Sequence, residues 1–267
     1  MNSGISFVIL TWNSRCYIEN CLNSIVNINS IEKEIIIIDN GSTDGTVELI
    51  KNNYPQVYTI ELDKNYGTTY TRNLGLKKRN PDNKYICILD SDTEISEGAL
   101  LNMIKCLEYD SKYMLAVPQM YDLDKQYQAS YKKFPTATIK FLKGLPINKL
   151  NRVGEKLERY NFRFDEEVYE VDYGISACWV MKRDVLDKIG LLDEKMFYAP
   201  EDVDYCARIW KCGGKVILAT GSIIVHATQR LSKRKFFSKL NLISLLDLVY
   251  YFWKHGYIFS AAKIRHK

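Results

Sequence analysis

The sequence predicts an α/β fold in which helices flank a mostly parallel central sheet, with a helical tail at the C-terminus. Two observations support this prediction. Three short apolar runs alternate with helical patterns over the first hundred residues, which is the rhythm of βαβ units with right-handed crossovers. The chain has 267 residues, of which 46% are hydrophobic, so it can bury the core of one large domain.

The first three predicted strands are short runs of apolar and β-branched residues, which is typical of buried strands. They are Ile5–Leu10, Glu34–Asp39 and Tyr85–Asp90. Apolar residues at helical spacing predict helices between them at 17–26, 46–51 and 69–78. We expect Ser96 to cap a further helix over 97–109, because a serine hydroxyl accepts the free N–H groups of a first helical turn.

The second half of the chain is predicted to be less regular. Residues 118–172 are rich in Tyr, Lys and Phe and contain Pro and Gly breakers, so we interpret them as an insertion. After it we expect a strand, a helix that ends at Gly213-Gly214, and two short strands. These elements are placed at 173–182, 202–211, 215–219 and 222–226.

Polar clusters follow each of the first three strands at the point where the strand ends. They are Thr11-Trp12-Asn13, Asp39–Gly45 and Asp90-Ser91-Asp92. The carboxyl ends of parallel strands share one edge of the sheet, and ligands bind in the crevice beyond that edge. Each cluster alone also has ordinary turn composition, since Asn, Asp, Gly and Ser favour turns. The three together predict a ligand site.

Asp90 and Asp92 stand one residue apart at the end of a buried-type strand. Two carboxylates in this position can hold Mg²⁺ or Mn²⁺, which are hard cations that prefer oxygen ligands and bridge to phosphates. Such a cation neutralises the charge of a departing diphosphate as a Lewis acid. The spacing therefore predicts a divalent-metal site.

A second acidic group, Glu201-Asp202-Val203-Asp204, opens the predicted helix after Pro200. Acids at this position can simply stabilise the helix through its dipole. Alternatively, one of them is a general base that takes the proton of a substrate hydroxyl. His226 follows the apolar run Ile223–Val225 and is either a structural residue or a metal ligand.

Seven stretches occur in a fixed order along the chain. They are Val8–Asn13, Ile38–Thr46, Asn65-Tyr66-Gly67 with Thr71–Gly75, Leu89–Asp92, Gly174–Ala177, Ile189–Glu194 and Glu201–Arg208. This ordered set resembles the family-two glycosyltransferases of GT-A (Rossmann-like) fold, a class that includes bacterial rhamnosyltransferases and other enzymes of cell-surface polysaccharide synthesis. The resemblance covers residues 5 to about 230.

The resemblance implies a nucleotide-sugar site and a metal site. The implied nucleotide-sugar residues are Thr11, Trp12, Asn13, Asp39, Asn40, Ser42, Asn65, Arg72, Asp90, Ser91 and Gly174. Among them, Asp39 would lie near the base or ribose, Trp12 would offer a stacking face, and Arg72 would face the diphosphate. The implied metal ligands are Asp92, Asp90 and His226. Asp90 would contact either the ribose or a water on the metal.

The resemblance further implies an inverting transfer of a sugar from a nucleotide-diphosphate donor to a hydroxyl of a glycan or a lipid-linked saccharide. Asp202 would be the catalytic base, with Glu201 as the second candidate. The donor would be dTDP-rhamnose or a UDP-hexose, and the cofactor Mn²⁺ or Mg²⁺. Two alternatives stay open: a non-catalytic nucleotide- or glycan-binding relative, and a nucleotidylyltransferase, which ranks last because a Gly- and Lys-rich triphosphate loop is missing near the first strand.

The implied domain organisation has two parts. Residues 1–230 form the catalytic domain, with a nucleotide-sugar-binding half at 1–117 and an acceptor-side half at 118–230. Residues 231–267 form a basic, aromatic tail. From Arg230 onward the sequence has nine Lys/Arg and one acid, Asp247, a net charge of +8, whereas the chain as a whole carries +5.

The charge distribution argues against nucleic acid as a partner of the whole protein, because the body without its tail is mildly acidic. The tail is interpreted either as helices that pack on the catalytic domain or as an interfacial helix that binds anionic lipid. Its histidines, His255 and His266, are expected to be solvated or membrane-facing.

The seven cysteines are scattered singly, without C-x-x-C spacing, and predict reduced thiols. The first apolar run is too short for a signal core or a membrane span. We therefore expect a cytoplasmic protein that can also lie peripherally on the inner face of the cell membrane.

Overall fold

A computed structural model of the chain describes residues 4–227 and 239–265. The strands are β1 (Ile5–Thr11), β2 (Lys33–Asp39), β3 (Tyr58–Glu61), β4 (Tyr85–Asp90), β5 (Thr93–Ile95), β6 (Tyr113–Tyr121), β7 (Tyr127–Gln128), β8 (Tyr131–Lys132), β9 (Val168–Val171), β10 (Tyr173–Gly174), β11 (Cys178–Lys182) and β12 (Lys215–His226). The helices are α1 (Ile18–Val26), α2 (Thr46–Asn53), α3 (Thr68–Lys78), α4 (Glu97–Leu107), α5 (Ala137–Gly144), α6 (Asn148–Glu158), α7 (Asp184–Ile189), α8 (Glu201–Lys211), α9 (Lys239–His255) and α10 (Ala262–Arg265).

The central sheet has the strand order β3-β2-β1-β4-β11-β6-β12-β5, and β7 and β9 pair with β6 and β12. Strands β3, β2, β1 and β4 run parallel, as do β6 and β12, while β11 lies antiparallel between the two groups. Strands β8 and β10 form a separate two-stranded ribbon. The α/β class with a mostly parallel sheet is thus confirmed.

Both faces of the sheet are covered, which explains why its strands are nearly continuous apolar runs. Along β1, Phe7 and Ile9 belong to the core on one face and Val8 to the core on the other. Burying such a side chain stabilises the fold by roughly 1.5–3 kcal/mol. Helix α3 approaches the sheet closely at Gly75, where a Cβ atom would lie 2.4 Å from Val8 Cγ1 and 2.5 Å from Ile38 Cδ1.

The elements predicted for the first half are present, and the hydroxyl of Ser96 accepts a hydrogen bond from Ala99 N at the start of α4. Strands β3 and β6 were not predicted. The division proposed between residues 117 and 118 lies inside β6, so the two halves share a strand. The strand expected at 173–182 is interrupted at 175–177, and the two strands expected at 215–226 form one strand with an irregular register after Ala219.

The described part of the tail packs on the α/β domain through one side of α9. Tyr251 and, beyond the helix, Tyr257 are buried, and their hydroxyls lie 2.7 Å apart. His255 is also buried and contacts Asp204, so the expectation that it is solvated or membrane-facing was wrong. His266 and the basic stretch from Arg230 to Lys235 lie outside the described residues. Over the two described ranges, every helix is too short or too polar to cross a bilayer.

Candidate active site

Three strand ends bring the predicted polar clusters together at one edge of the sheet. Thr11 at the end of β1 pairs in register with Asp39 at the end of β2, and Leu10 pairs with Asp90 at the end of β4. Because β2, β1 and β4 are adjacent and parallel, the loops that follow them line the same crevice.

Asp39 organises the first wall of this crevice. Its buried carboxylate accepts hydrogen bonds from the Thr11 hydroxyl at 2.7 Å, the Ser42 hydroxyl at 2.5 Å and the Ser42 backbone N at 2.8 Å. The Ser42 hydroxyl in turn accepts from Asn13 N at 2.8 Å. Trp12, which is half-buried, lies between Thr11 and Asn13 in the sequence. These hydrogen bonds tie the loop after β1 to the loop after β2.

Asn40 ties the same wall to the loop before α3. Its amide donates to Asn65 Oδ1 at 3.1 Å and accepts from Tyr66 N at 2.8 Å. Gly67 follows with φ of +87°, and a Cβ there would lie 2.4 Å from the carbonyl oxygen of Phe197. Only glycine fits this position, and it lets the loop before α3 touch the loop before α8.

Asp90, Asp92 and His226 form the group that could hold a metal. Their ligand atoms all lie within 4.8 Å of one another, and His226 Nε2 is 3.4 Å from Asp92 Oδ1. Burial and the charge of Asp92 raise the pKa of Asp90, although Arg72 opposes this rise. Burial lowers the pKa of His226, but the hydrogen bond and charge of Asp92 outweigh it and raise that pKa. Two carboxylates and one imidazole suit Mn²⁺ or Mg²⁺ and would balance its charge.

Gln128 on β7 contacts His226, the histidine of the candidate metal group, at two points. Its Oε1 lies 3.1 Å from His226 Nδ1, and its amide N donates to the His226 carbonyl at 3.0 Å. With Nδ1 next to Gln128, the other ring nitrogen of His226, Nε2, is directed at Asp92. In metal sites, a hydrogen-bond partner on one ring nitrogen orients the other nitrogen toward the metal in the same way. Gln128 was not predicted, because it lies 98 residues from His226 in a segment interpreted as an insertion.

Arg72 lies between the two acidic groups. Its buried guanidinium contacts Asp90 Oδ1 at 2.6 Å, Glu201 Oε1 at 3.0 Å and the Ser176 hydroxyl at 2.7 Å. Its Nε is buried without a hydrogen-bond partner among the described residues. The structure therefore places Arg72 between Asp90, a member of the candidate metal group, and Glu201 of the acid pair.

Glu201 and Asp202, at the start of α8, differ in their surroundings. Glu201 is buried and accepts hydrogen bonds from Arg72 and Ser176, while burial and the charge of Asp202 raise its pKa to about 8. Asp202 is half-buried, and burial raises its pKa as well. The Asp202 carboxylate is the more accessible of the two, so it suits proton transfer with a substrate hydroxyl better.

Asp204 points away from the crevice although it belongs to the same acidic run. It is fully buried and contacts Arg208 at 2.9 Å, Lys254 at 2.7 Å and His255 at 2.8 Å. Residues two apart on a helix face different sides, which explains why the acidic run divides between the crevice and the tail.

The remaining predicted residues, Ser91 and Gly174, are both buried; Ser91 follows β4 at this edge, whereas Gly174 lies on β10 in the separate two-stranded ribbon. The Ser91 hydroxyl is buried 2.7 Å from the Ser14 hydroxyl. Gly174 packs so closely that a Cβ would lie 2.2 Å from Val117 Cγ1. Sequence reasoning assigned no role to Ser14, Ser176 or Tyr198. The pKa of Tyr198 is raised to about 12 by burial and by the charges of Glu201 and Asp90, so it lies near both acidic groups.

At the carboxyl edge of this α/β sheet, where ligands bind in such folds, polar loops, a group that could hold a divalent metal and a pair of acids meet around Arg72. The family model described as glycosyl transferase family 2 matches residues 6–190. Since this range is more than half of the chain, the protein belongs to glycosyl transferase family 2.

Curated relatives match part of the chain. The poly-beta-1,6-N-acetyl-D-glucosamine synthase of Staphylococcus aureus strain MSSA476 is 35% identical over 112 residues, which are 41% of this chain and 26% of that protein. The synthase of Staphylococcus epidermidis is 34% identical over 112 residues, with the same coverage. The matched stretch thus spans about a quarter of these relatives.

Solved structures share the fold. GalNAc-T7 with UDP, GalNAc and Mn²⁺ has a TM-score of 0.62 at 18% identity, over 84% of this chain and 44% of that one. The mannosyltransferase PcManGT of Pyrobaculum calidifontis, with GDP-Man and Mn²⁺, has 0.62 at 17%, over 95% and 64%. S. aureus TarS 1-349 with UDP-GlcNAc has 0.62 at 17%, over 92% and 66%. These similarities confirm the GT-A-like fold.

Proposed function

We propose that this family 2 glycosyltransferase is a metal-dependent, inverting enzyme that transfers a sugar from a nucleoside-diphosphate sugar to a hydroxyl of a glycan or a lipid-linked saccharide. The observation that supports this most is the arrangement at one edge of the sheet. The acids and the imidazole of Asp90, Asp92 and His226 converge there, and Arg72 links Asp90 to the acid pair at the start of α8.

The donor is held on two sides. The cradle built on Asp39, with Trp12 beside it, receives the nucleoside, and Asn40 and Asn65 extend it toward α3. Asp90, Asp92 and His226 would hold Mn²⁺ or Mg²⁺, whose chemistry is to offset the negative charge of the diphosphate. Structures of GalNAc-T7 and PcManGT that contain Mn²⁺ with a nucleotide support this assignment.

Asp202 acts as the base. The acceptor hydroxyl gives its proton to the Asp202 carboxylate while its oxygen bonds to the anomeric carbon. The bond from that carbon to the diphosphate oxygen breaks at the same time, and its electron pair leaves with the nucleoside diphosphate. Because the hydroxyl attacks from the side opposite the diphosphate, one displacement inverts the anomeric configuration without an enzyme nucleophile.

The proposed donor is either a UDP-hexose or dTDP-rhamnose. The UDP choice gains support from TarS bound to UDP-GlcNAc, and a hexosamine as the sugar gains support from the name of the curated poly-beta-1,6-N-acetyl-D-glucosamine synthases, whereas dTDP-rhamnose rests on the sequence resemblance alone. Cell-surface polysaccharide synthesis is the proposed setting, in line with those synthases.

A donor panel tests the function. UDP-GlcNAc, UDP-glucose, GDP-mannose and dTDP-rhamnose are each incubated with the protein and Mn²⁺, with and without saccharide acceptors, and nucleoside-diphosphate release is measured. One donor is expected to be consumed, and NMR of its product should show an inverted anomeric centre. Saturable donor binding without release would instead favour the non-catalytic alternative, and a retained configuration would contradict the mechanism.

We also propose that the outer face of α9 lies on an anionic bilayer on the cytoplasmic side. Five large apolar side chains on this face are 56–77% exposed: Leu242, Leu245, Leu246, Val249 and Trp253. Their spacing of three and four residues places them on one side of the helix, opposite the packed side that carries Asp247, Tyr251 and His255. The stretch from Arg230 onward has a net charge of +8, which complements anionic lipid, and seven free cysteines support a reducing compartment.

Vesicle binding tests this surface. Phosphatidylcholine vesicles with phosphatidylglycerol should bind the protein at low salt, and replacing Leu245, Leu246 and Trp253 by Ser should abolish most of that binding. The control is Leu123→Ser, which removes an equally exposed leucine between β6 and β7. Unchanged binding in the triple variant would overturn the proposal. A wild-type dimer that the triple variant dissociates would assign the face to a second copy instead.

A further inference from the structure

A cluster of lysines surrounds one buried carboxylate beside the acid pair. Glu158 ends α6, and its side chain is 3% exposed. The ammonium groups of Lys143, Lys140 and Lys132 lie 2.5, 3.5 and 3.8 Å from its carboxylate oxygens. Three positive groups face one negative group, so the cluster carries a net charge of +2 (3 − 1). One cation would have sufficed to neutralise Glu158.

The cluster lies next to the proposed base. Lys132 on β8 pairs with Tyr173 on β10, the strand that leads to Ser176 and its hydrogen bond with Glu201. The charges of Lys132 and Lys140 lower the pKa of Asp202, against the stronger effect of its burial. Lys132 and Lys140 are therefore close enough to Asp202 for their charges to act on it.

Lys132 is the member with most capacity for a further ligand. Burial and the charges of Lys143 and Lys140 lower its pKa, although Glu158 opposes them. Its distance to Glu158 is the longest of the three, and an ammonium group has three N–H donors. Strand β8 and helices α5 and α6 carry none of the nucleoside or metal residues described above, so this positive charge is not needed for the donor diphosphate.

We propose that Lys132, together with Lys140 and Lys143, binds an anionic group of the acceptor, a phosphate or a carboxylate located near the hydroxyl that receives the sugar. This inference rests on the proposed transferase function and specifies the class of its acceptor. A charge-assisted hydrogen bond from a half-buried ammonium to such an oxyanion is stronger than a neutral one, and it would place the hydroxyl beside Asp202.

Matched acceptors test the proposal. The same saccharide is supplied as a neutral methyl glycoside, as its methyl phosphodiester and as its uronic acid, together with the donor identified in the panel. Wild-type kcat/KM should favour one anionic form by about tenfold or more, equivalent to one good charged contact. Comparing the phosphodiester with the uronic acid shows whether the anionic group of the acceptor is a phosphate or a carboxylate.

Two variants act in opposite directions on this preference. Lys132→Gln should lower kcat/KM for the anionic acceptor about tenfold more than for the neutral acceptor and so remove the preference, and Glu158→Gln should keep or increase it because it removes the opposing charge. Lys149→Gln, an exposed lysine of α6, is the control and should change nothing. A role confined to holding α6 against β8 would lower stability and all activities together, which thermal unfolding of each variant would show.

A binding measurement tests the anionic acceptor subsite even if no sugar transfer is observed. With nucleotide and Mn²⁺ bound, calorimetry of a glycerol-phosphate trimer and of glucuronate should detect binding of one of them that Lys132→Gln weakens about tenfold. Equal use of neutral and anionic acceptors, or binding that is insensitive to Lys132→Gln, would overturn the anionic subsite. Absence of nucleoside-diphosphate release from every donor would overturn the transferase function instead.

Discussion

Arg72 shows how a single residue can connect two acidic groups that lie far apart in the sequence. Its contacts with Asp90 and Glu201 span 18 and 129 residues. Burial lowers its pKa, but the charges of Asp90 and Glu201 outweigh this effect and raise it, so the guanidinium stays charged. Removing one partner of a buried ion pair commonly costs about 3–5 kcal/mol, so Arg72 stabilises the site as well as bordering it.

The role of Asp202 leads to a prediction at this scale. Asp202→Asn keeps the shape and removes the basicity, so kcat should fall by ~10²–10⁴ with donor KM nearly unchanged. The base acts only when ionised, and burial raises its pKa above that of free aspartate, so wild-type kcat should rise with pH through that raised value. The variant should lack this rise. Near-normal kcat in Asp202→Asn would exclude the residue, and Glu201→Gln would then be tested in the same way.

The metal group provides a second prediction. EDTA should abolish transfer, and Mn²⁺ or Mg²⁺ should restore it. Asp92→Ala should lower kcat by at least ~10²-fold, because a ligand that places positive charge at the diphosphate is lost. Asp82→Ala, at an exposed position before the opposite end of β4, is the matched control. Full activity in the chelator would refute metal dependence.

At the scale of elements, α9 holds α8 and the loop before it. The Asp247 carboxylate accepts a hydrogen bond from Phe197 N at 3.0 Å, and His255 and Lys254 contact Asp204 on α8. Phe197 O accepts a hydrogen bond from Thr68 N at the start of α3. The tail therefore takes part in positioning the loop before α8, which contacts the start of α3 and leads to Glu201 and Asp202.

The contact between α9 and α8 should weaken in acid. Burial lowers the pKa of His255 below its usual 6.5, against the effect of Asp204, while Lys211 and Lys254 add to the lowering. The unfolded chain then binds the proton more tightly, so the stability from neutral His255 is present above pH 6.5 and is lost as the pH falls through the lower folded value. The pKa of Asp204 is also lowered, by its hydrogen bond with His255 and by nearby cations that outweigh its burial, and its contribution is lost in the same direction.

Hydrogen exchange measures this weakening. Exchange in α9 should increase between neutral pH and pH 5, after correction for the intrinsic rate, more than exchange in α1. His255→Gln, which does not titrate, should show a smaller difference between the two conditions. Equal changes in α1 and α9 would mean that the attachment of the tail does not depend on these groups.

At the scale of the molecule, short sequence patterns correctly predicted those features that are determined by residues close together in the chain. The strands β1, β2 and β4, the Ser96 cap and the convergence of their loops follow from apolar runs and strand ends. The features that were missed depend on distant partners. The contact of His255 with Asp204 spans 51 residues, and that of Ser176 with Arg72 spans 104. Nothing in the neighbouring sequence of His255 distinguishes it from a solvated histidine.

Whether the tail is an integral part of the catalytic domain can be tested with two neighbouring aromatic residues of α9. Tyr251 is 0% exposed and its hydroxyl pairs with that of Tyr257, whereas Trp253, two positions later, is 77% exposed. Truncating a buried aromatic side chain to Ala costs about 3–5 kcal/mol, because contacts are lost and a cavity remains. Exposed substitutions stay within about 0.5 kcal/mol.

Tyr251→Ala should therefore lower the free energy of unfolding of the whole chain by about 3–5 kcal/mol in urea, and Trp253→Ala should leave it nearly unchanged. The transition should remain single, because a tail that shares the core of the domain unfolds with it. If Tyr251→Ala left the main transition in place and released only α9 to proteolysis, the tail would be a separate unit. The surface of Trp253 could then contribute to membrane binding without any effect on the loop before α8.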